Sequence, residues 1–281
     1  MPATTNPSTS KTSTASHRQT PPTGEPAVSS TTPGIVTPKS TTPTKSSFNN
    51  TGPHLPTSEE QSTTARLPLA LKLGYTAFMA ILVPYYWIEY GPTNFVYFCD
   101  IALFLTLAAV WTERPLLASM AAVGITIPQM LWQVDFLGNL MNVPVTGMTN
   151  YMFNPEISIF ARGLSFFHFW LPILLIGIVV KIGYDRRAFW AWTIVAWVAM
   201  LVSYFLLPAP GDALEYANQP RNVNYVYGMS SEAPQTIMPS WTWLSMMLAG
   251  LPLAIYLPTH SLLGWVDARR RTATGNSDSN A

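Results

Sequence analysis

The chain has 281 residues, of which 48% are hydrophobic and only 10% are charged, and its net charge is +1. A soluble domain carries roughly 25% charged residues, so this composition excludes an ordinary soluble protein. The near-neutral charge gives no electrostatic basis for binding nucleic acid, and we expect none. The single cysteine, Cys99, excludes an intrachain disulfide and a cysteine-based zinc site.

Residues 1–64 form a polar N-terminal tail that is dominated by Thr, Ser and Pro, with stretches such as STTPGIVTPKSTTPTKSS. A segment with so few aliphatic and aromatic residues cannot bury enough apolar surface to offset its chain entropy. The sequence therefore predicts a disordered tail over residues 1–64, a membrane domain over residues 65–266 and a short polar C-terminal tail over residues 267–281.

Six apolar segments in the membrane domain are long enough to cross a bilayer. They cover residues 67–87, 94–111, 116–137, 160–182, 188–207 and 241–263. Hydrocarbon offers no partner to an open backbone, so each span must be a helix. The predicted fold class is all-α, an integral membrane bundle of about six transmembrane helices.

Lysine and arginine set the predicted orientation of the bundle. Six spans place one group of basic residues on one side of the membrane: Arg114, Lys181, Arg186, Arg187, Arg269, Arg270 and Arg271. The positive-inside rule then puts both termini in the cytoplasm. We expect the bacterial inner membrane, with Tyr85, Tyr86 and Trp87 in an interfacial belt and Asp135 solvated at the interface.

Two long connections lie on the opposite, outer side, over residues 138–159 and 208–240. Loops of this length are often lids or binding segments. Residues 222–227 (NVNYVY) alternate in polarity, which predicts a short hairpin over the outer mouth.

Polar residues at similar depth in the outer half of the spans predict a cavity that binds a small molecule or a lipid. Such residues are costly in a membrane and usually face the bundle interior. The predicted ligand-binding residues are Gln129, Gln133, Arg162, Ser165 and Tyr204, and the predicted catalytic residues are His168, Asp100 and Cys99. A carboxylate beside an imidazole fixes its tautomer and raises its basicity. Alternatively, these side chains only hydrogen-bond neighbouring helices and fix their packing.

The sequence predicts no metal site and no cofactor. It has no histidine pair with haem or metal-ligand spacing, no glycine-rich phosphate loop and no G-x-S-x-G motif.

Four short runs carry a resemblance to known proteins: GPTNFVYFCD (91–100), LWQVDF (131–136), LSFFHFWLP (164–172) and YLPTH (256–260). They resemble a group of bacterial polytopic membrane proteins of unknown function, which implies a membrane location. A fainter resemblance is to six-helix membrane lipid hydrolases and acyltransferases of the androgen-induced type. That resemblance implies a Thr or Cys nucleophile and a later His, for which Cys99 and His168 are the counterparts, while Asp100 lies outside the pattern.

Three functions therefore remain open. The first is a non-enzymatic membrane protein such as a transporter, sensor or assembly factor, whose cavity binds a ligand. The second is an intramembrane enzyme that acts on a lipid, with His168 as general base and Cys99 or Ser165 as nucleophile. The third is a bundle whose polar residues serve packing alone.

Overall fold

A computed structural model describes residues 67–143, 145–216 and 218–278, with side chains up to residue 272. These residues form helices, turns and irregular segments, without a strand among them. The tail predicted over residues 1–64 lies outside the described residues.

Eight α-helices follow one another along the described chain. They are α1 (Leu69–Tyr90), α2 (Phe98–Thr112), α3 (Pro115–Leu140), α4 (Ile159–Ser165), α5 (Phe167–Ile182), α6 (Ala188–Leu206), α7 (Ser240–Leu251) and α8 (Leu257–Asp278). Short 3-10 helices cover Pro92–Val96, Asn150–Phe153 and Val223–Tyr225. A π-helical turn, Pro252–Tyr256, joins α7 to α8. The polar C-terminal segment predicted from residue 267 begins inside α8.

Five helical stretches are long and apolar enough to cross a membrane: Leu69–Tyr90, Pro115–Leu140, Ile159–Ile182, Ala188–Leu206 and Ser240–Thr272. The remaining predicted span is α2, which is apolar but has only 15 residues. The predicted fold class is thereby confirmed: the chain is an all-helical membrane protein.

Helix α3 lies at the centre of the bundle and packs against α2, α5, α6 and α8. Its first half is built from small residues that are fully or almost fully buried, among them Ala118, Ala121 and Ala122. Gly124 shows how close the packing is, because a Cβ built there would lie 1.9 Å from the ring of Trp192 on α6. Small residues let membrane helices approach each other in this way.

The two ends of the bundle differ. At the short-turn end, Glu113 adopts a left-handed conformation (φ 52°) between α2 and α3 and forms an ion pair with Lys72. Asp185 pairs there with Arg187, and the Tyr184 hydroxyl lies 2.6 Å from Nδ1 of His260. The long-loop end carries the connections over residues 141–158 and 207–239, which cover the ends of the helices.

Candidate functional site

Asp100 lies in the first turn of α2, at the long-loop end of the bundle, and is 3% exposed. Its Oδ2 atom is 3.6 Å from Sγ of Cys99, and a thiol is a weak donor. Its Oδ1 atom has no hydrogen-bond partner within the described part of the chain. The positive end of the α2 dipole favours a negative charge at this position, but a buried carboxylate normally needs further donors.

Asp135, near the end of α3, provides the comparison. It is also buried (0% exposed), yet its two oxygens accept five hydrogen bonds of 2.5–3.0 Å. The donors are the backbone N–H groups of Val145, Thr146, Gly147 and Thr149 and the hydroxyl of Thr149. The expectation of a solvated Asp135 is therefore wrong, because its carboxylate holds the first long loop against α3.

Four tyrosine hydroxyls lie within electrostatic range of Asp100 or Cys99. Tyr86 comes from α1, Tyr97 immediately precedes α2, Tyr151 lies in the first long loop and Tyr225 in the second. The Tyr86 and Tyr97 hydroxyls interact electrostatically with Asp100, and those of Tyr151 and Tyr225 interact with Cys99. We call these four residues the tyrosine cluster.

Three members of the tyrosine cluster lie outside the spans, and burial raises the pKa of each: Tyr97, Tyr151 and Tyr225. All three nevertheless keep part of their surface accessible. A phenol in contact with bulk water would not be desolvated in this way. The three phenols are therefore largely enclosed by other parts of the protein, at the end of the bundle that carries the two long loops.

Further polar atoms at the long-loop end of the bundle are buried without a partner among the described residues. Gln129, 2% exposed, leaves both Oε1 and Nε2 unpaired. Helices α2 and α3 are antiparallel and are joined by a short turn. At about 1.5 Å per residue, Gln129 lies roughly 22 Å along α3 from this turn and Asp100 lies roughly 20 Å along α2, so the two residues are at similar depth. The indole Nε1 of Trp132 interacts with the Tyr151 hydroxyl, whereas Nε of Arg162 has no hydrogen-bond partner among the described residues.

Asn224 ties the second long loop to the site. Its Oδ1 accepts a hydrogen bond of 3.0 Å from the backbone N–H of Phe98, and its Nδ2 donates to Val96 and Ser203. Helix α2 has no side-chain cap from its own N-terminal segment, so Asn224 satisfies one of its free N–H groups from a distant part of the chain.

The backbone around Asn224 is unusual. Asn222, Asn224 and Tyr225 have φ values of 49°, 59° and 59°, a region that non-glycine residues seldom adopt. The predicted hairpin over residues 222–227 is therefore wrong, because left-handed residues break the strand alternation and form a 3-10 turn. Trp243 secures this turn by donating its indole N–H to the carbonyl of Tyr225 at 2.9 Å. Strained conformations of this kind cluster at functional sites.

His168 makes its contacts with α3 and with the end of α4. Its Nδ1–H donates to the carbonyl of Ser165 at 2.7 Å, and its ring stacks on Trp132 with centroids 4.8 Å apart. Gln133 donates to the carbonyls of His168 and Phe169. No hydrogen bond or ion pair joins Asp100 to His168 in the described residues, so the expected carboxylate–imidazole pair is absent. His168 and Gln133 instead support the bend between α4 and α5.

The other predicted site residues fall into two groups. Ser165 lies at the site, where its hydroxyl is 3.2 Å from that of Tyr86, and Arg162 lies nearby with Nη1 bonded to the carbonyl of Met152. Tyr204 lies farther out, where its ring stacks on Tyr227 at 4.7 Å and its carbonyl accepts the Tyr227 hydroxyl. Tyr204 therefore helps to hold the second long loop.

The sequence alone does not predict the tyrosine cluster, because Tyr86 fits an interfacial belt and Tyr97, Tyr151 and Tyr225 belong to no recognisable motif. One signal was present: an Asn-Tyr pair occurs in each long loop, at residues 150–151 and 224–225. Asparagine tolerates left-handed backbone and bonds to nearby backbone groups, so such a pair can present a tyrosine from a tight turn.

A separate open groove of about 610 Å³ lies between α1 and α5. Its lining is mostly apolar and includes Leu71, Phe78 and Trp170. It includes none of the predicted site residues.

No group of three or more His, Cys, Asp or Glu side chains in the described residues has the proximity to hold a metal ion. No protein-family model matches this chain, and neither a curated protein nor a solved structure is significantly similar to it.

Proposed function

We propose that this membrane protein binds a small polar molecule, or the polar headgroup of a lipid, in the space beneath its two long loops. The observation that carries this proposal is the unpaired Oδ1 of buried Asp100. Gln129 adds two more unpaired buried atoms at the same depth. Asp135, at the same end of the bundle, has five donors, so the fold is able to satisfy a buried carboxylate. Buried polar groups without partners are rare in native structures, and a bound ligand, ion or water is one way to satisfy them.

We further propose that the long-loop end faces the outside of a bacterial inner membrane and that both termini are cytoplasmic. The short-turn end carries most of the basic residues of the helix connections, including Arg114, Lys181 and Arg187. This distribution agrees with the positive-inside rule. The bacterial assignment rests on the resemblance of residues 91–100 and 164–172 to bacterial polytopic proteins.

Intramembrane hydrolysis or acyl transfer is the alternative function. In its favour, Cys99 lies 3.6 Å from a carboxylate oxygen. Against it, Nδ1 of His168 is bonded to a carbonyl, and no hydrogen bond links His168 to Cys99 among the described residues. A thiol nucleophile needs a base within hydrogen-bond reach, which favours binding over catalysis.

The test uses Cys99, the single cysteine of the chain, as a reporter of the cavity. Purified protein in lipid nanodiscs is treated with a small neutral methanethiosulfonate, and the rate of modification is followed by intact-protein mass spectrometry. We expect Cys99 to react, because a ligand-binding space must admit small molecules. The matched control is Met130→Cys in a Cys99→Ser background, since Met130 lies at a similar depth but is 55% exposed on the outer surface of the bundle.

Native mass spectrometry of the same nanodiscs then identifies what the space holds. We expect a small molecule or lipid to be retained by the unaltered protein and lost from a Gln129→Leu variant. If Cys99 reacts no faster than the lipid-facing control and no compound is retained, the proposal is wrong. If a cysteine-directed acyl probe labels Cys99 in a manner that requires His168, the enzymatic alternative replaces it.

A further inference from the structure

The charge of the ligand follows from the partners that Asp100 lacks. Asp100 is deeply buried, and its one hydrogen-bond donor is the thiol of Cys99. None of the ion pairs among the described residues includes it. An uncompensated carboxylate in a low-dielectric interior is strongly unfavourable, and a cation is the partner that offsets this most effectively.

The basic residue nearest to the site does not meet this need. Arg162 directs Nη1 to the carbonyl of Met152, and no ion pair joins its guanidinium to Asp100. A buried carboxyl without a cation tends to stay neutral, so Asp100 carries its negative charge when a cation reaches it. No ion pair among the described residues supplies that cation.

The tyrosine cluster suits a cation as well. Burial raises the pKa of Tyr97, Tyr151 and Tyr225, so these phenols stay neutral at physiological pH. Neutral phenol oxygens accept hydrogen bonds, and aromatic rings attract ammonium groups through their quadrupole. An anion would meet Asp100 itself, and Nη1 of Arg162 is already bonded to the carbonyl of Met152.

We propose that the ligand is a small organic ammonium compound whose positive charge lies against Asp100 within the tyrosine cluster. This inference rests on the proposed binding function and specifies its ligand class. The ammonium group supplies the missing donor or charge to Oδ1 of Asp100. The unpaired amide of Gln129 binds another polar group of the same molecule. A proton on Asp100 would leave this amide unpaired, which favours an organic cation over a proton.

The experiment measures the charge preference of the space at Cys99. Two methanethiosulfonates of similar size are compared, one carrying a trimethylammonioethyl group and the other a sulfonatoethyl group. Each rate of modification is divided by the rate of that reagent with a small free thiol, which removes their intrinsic difference. We expect the normalised rate to favour the cationic reagent by about tenfold or more, because a charged cleft concentrates the opposite charge.

Protection by choline tests the binding of an ammonium group directly. Its neutral isostere, in which carbon replaces the quaternary nitrogen, has almost the same shape. We expect choline to slow modification of Cys99 by the neutral methanethiosulfonate and the isostere to have no such effect.

Asp100→Asn keeps the shape of the side chain and should abolish both the cationic preference and the protection by choline. Asp212→Asn is the control, because Asp212 belongs to the second long loop and its carboxylate accepts a hydrogen bond from the backbone N–H of Ala209. Should Asp100→Asn fail to fold, the comparison of reagents in the unaltered protein still decides the question.

The outcomes separate the two proposals. If Cys99 is accessible but shows no charge preference, or if choline and its isostere protect equally, the ammonium inference is wrong while the binding function stands. A preference that depends on pH alone, without protection by choline, would assign Asp100 to proton binding and overturn the inference. Inaccessible Cys99 would overturn both.

Discussion

Asp100 and Asp135 lie at the same end of the bundle and are both buried, yet they differ in the number of donors that reach them. Asp135 receives four backbone N–H groups and one hydroxyl, whereas Asp100 receives a thiol. A carboxylate that is fully bonded stabilises the fold, and one that lacks partners destabilises it. We therefore expect Asp135 to stabilise the fold and Asp100 to serve the proposed binding function.

This difference predicts opposite effects of the same substitution. Asp135→Asn should lower the free energy of unfolding by about 3 kcal/mol, because an amide cannot accept all five hydrogen bonds. Asp100→Asn should leave the stability of the ligand-free protein unchanged or raise it, because the substitution removes a buried charge. Thermal unfolding in detergent, with ligand removed, measures both. Equal destabilisation by the two substitutions would contradict this account of the site.

The tyrosine cluster predicts a pH dependence. Since burial raises the pKa of Tyr151 and Tyr225, folding favours their neutral form, and this stabilisation is fully present below the pKa of an unfolded tyrosine. It is lost as the pH rises toward the higher pKa of the folded state. Phenolate absorbance should therefore show a fraction of tyrosines that ionises late, and Tyr151→Phe or Tyr225→Phe should each remove one phenol from that fraction. If either substitution instead removes a phenol that ionises at the pH of a free tyrosine, the substituted residue is exposed to bulk solvent.

At the scale of the element, the start of α2 depends on a residue more than a hundred positions away. Asn224 accepts from Phe98 and donates to Val96, so the second long loop and α2 form one hydrogen-bonded unit. A movement of this loop would free the N-terminus of α2 and displace the segment that carries Cys99 and Asp100.

Asn224→Gly tests this connection while keeping the left-handed backbone accessible. We expect a loss of about 1–2 kcal/mol in the free energy of unfolding, as for the removal of a helix cap, together with faster modification of Cys99. Asn224→Ala should cost more, because a Cβ disfavours the positive φ. Asn218→Ala is the control, since Asn218 belongs to the same loop but bonds the exposed Glu89. If the rate of Cys99 modification is unchanged in Asn224→Gly, the second long loop does not control access to Cys99.

The contact between α3 and α6 predicts a second effect at this scale. Gly124→Ala places a methyl group against the Trp192 ring and should destabilise the protein by about 1–3 kcal/mol. The same substitution should cost less in a Trp192→Leu background, since the smaller side chain leaves room. Gly177→Ala on α5 meets nothing within 4 Å and should be neutral or stabilising. If Gly124→Ala and Gly177→Ala change the free energy of unfolding equally, the close contact between α3 and α6 does not restrict the size of the side chain at position 124.

At the scale of the whole molecule, hydropathy predicted the spans well, because the bilayer demands length and apolar composition from every crossing helix. Polarity within the spans also predicts that Asp100 and Gln129 face the bundle interior, and both are buried there. Periodicity could not reveal the bend at Phe166 between α4 and α5, nor the π-helical turn after α7, because both depend on neighbouring helices. It also could not reveal that Asp135 is enclosed by residues 145–149, since those contacts arise from loop conformation.

The proposed orientation of the bundle is testable with reporters. A fluorescent protein fused to the C-terminus should fluoresce, and alkaline phosphatase fused there should be inactive, because both report a cytoplasmic position. Met229→Cys in a Cys99→Ser background should react with an impermeant thiol reagent added outside intact cells, since Met229 is exposed in the second long loop. An active phosphatase and a protected Met229→Cys would invert the proposed topology.

Helix α2 has a consequence for the surrounding lipid. Its 15 residues span roughly 22 Å, about 8 Å less than a hydrocarbon layer of roughly 30 Å. A bilayer adapts to such hydrophobic mismatch by thinning beside the short segment. We expect this thinning to draw the lipid headgroups next to α2 toward Tyr97 and Asp100, which would shorten the path of the proposed ligand from water. Longer acyl chains, which thicken the membrane, should therefore slow the entry of the proposed ligand.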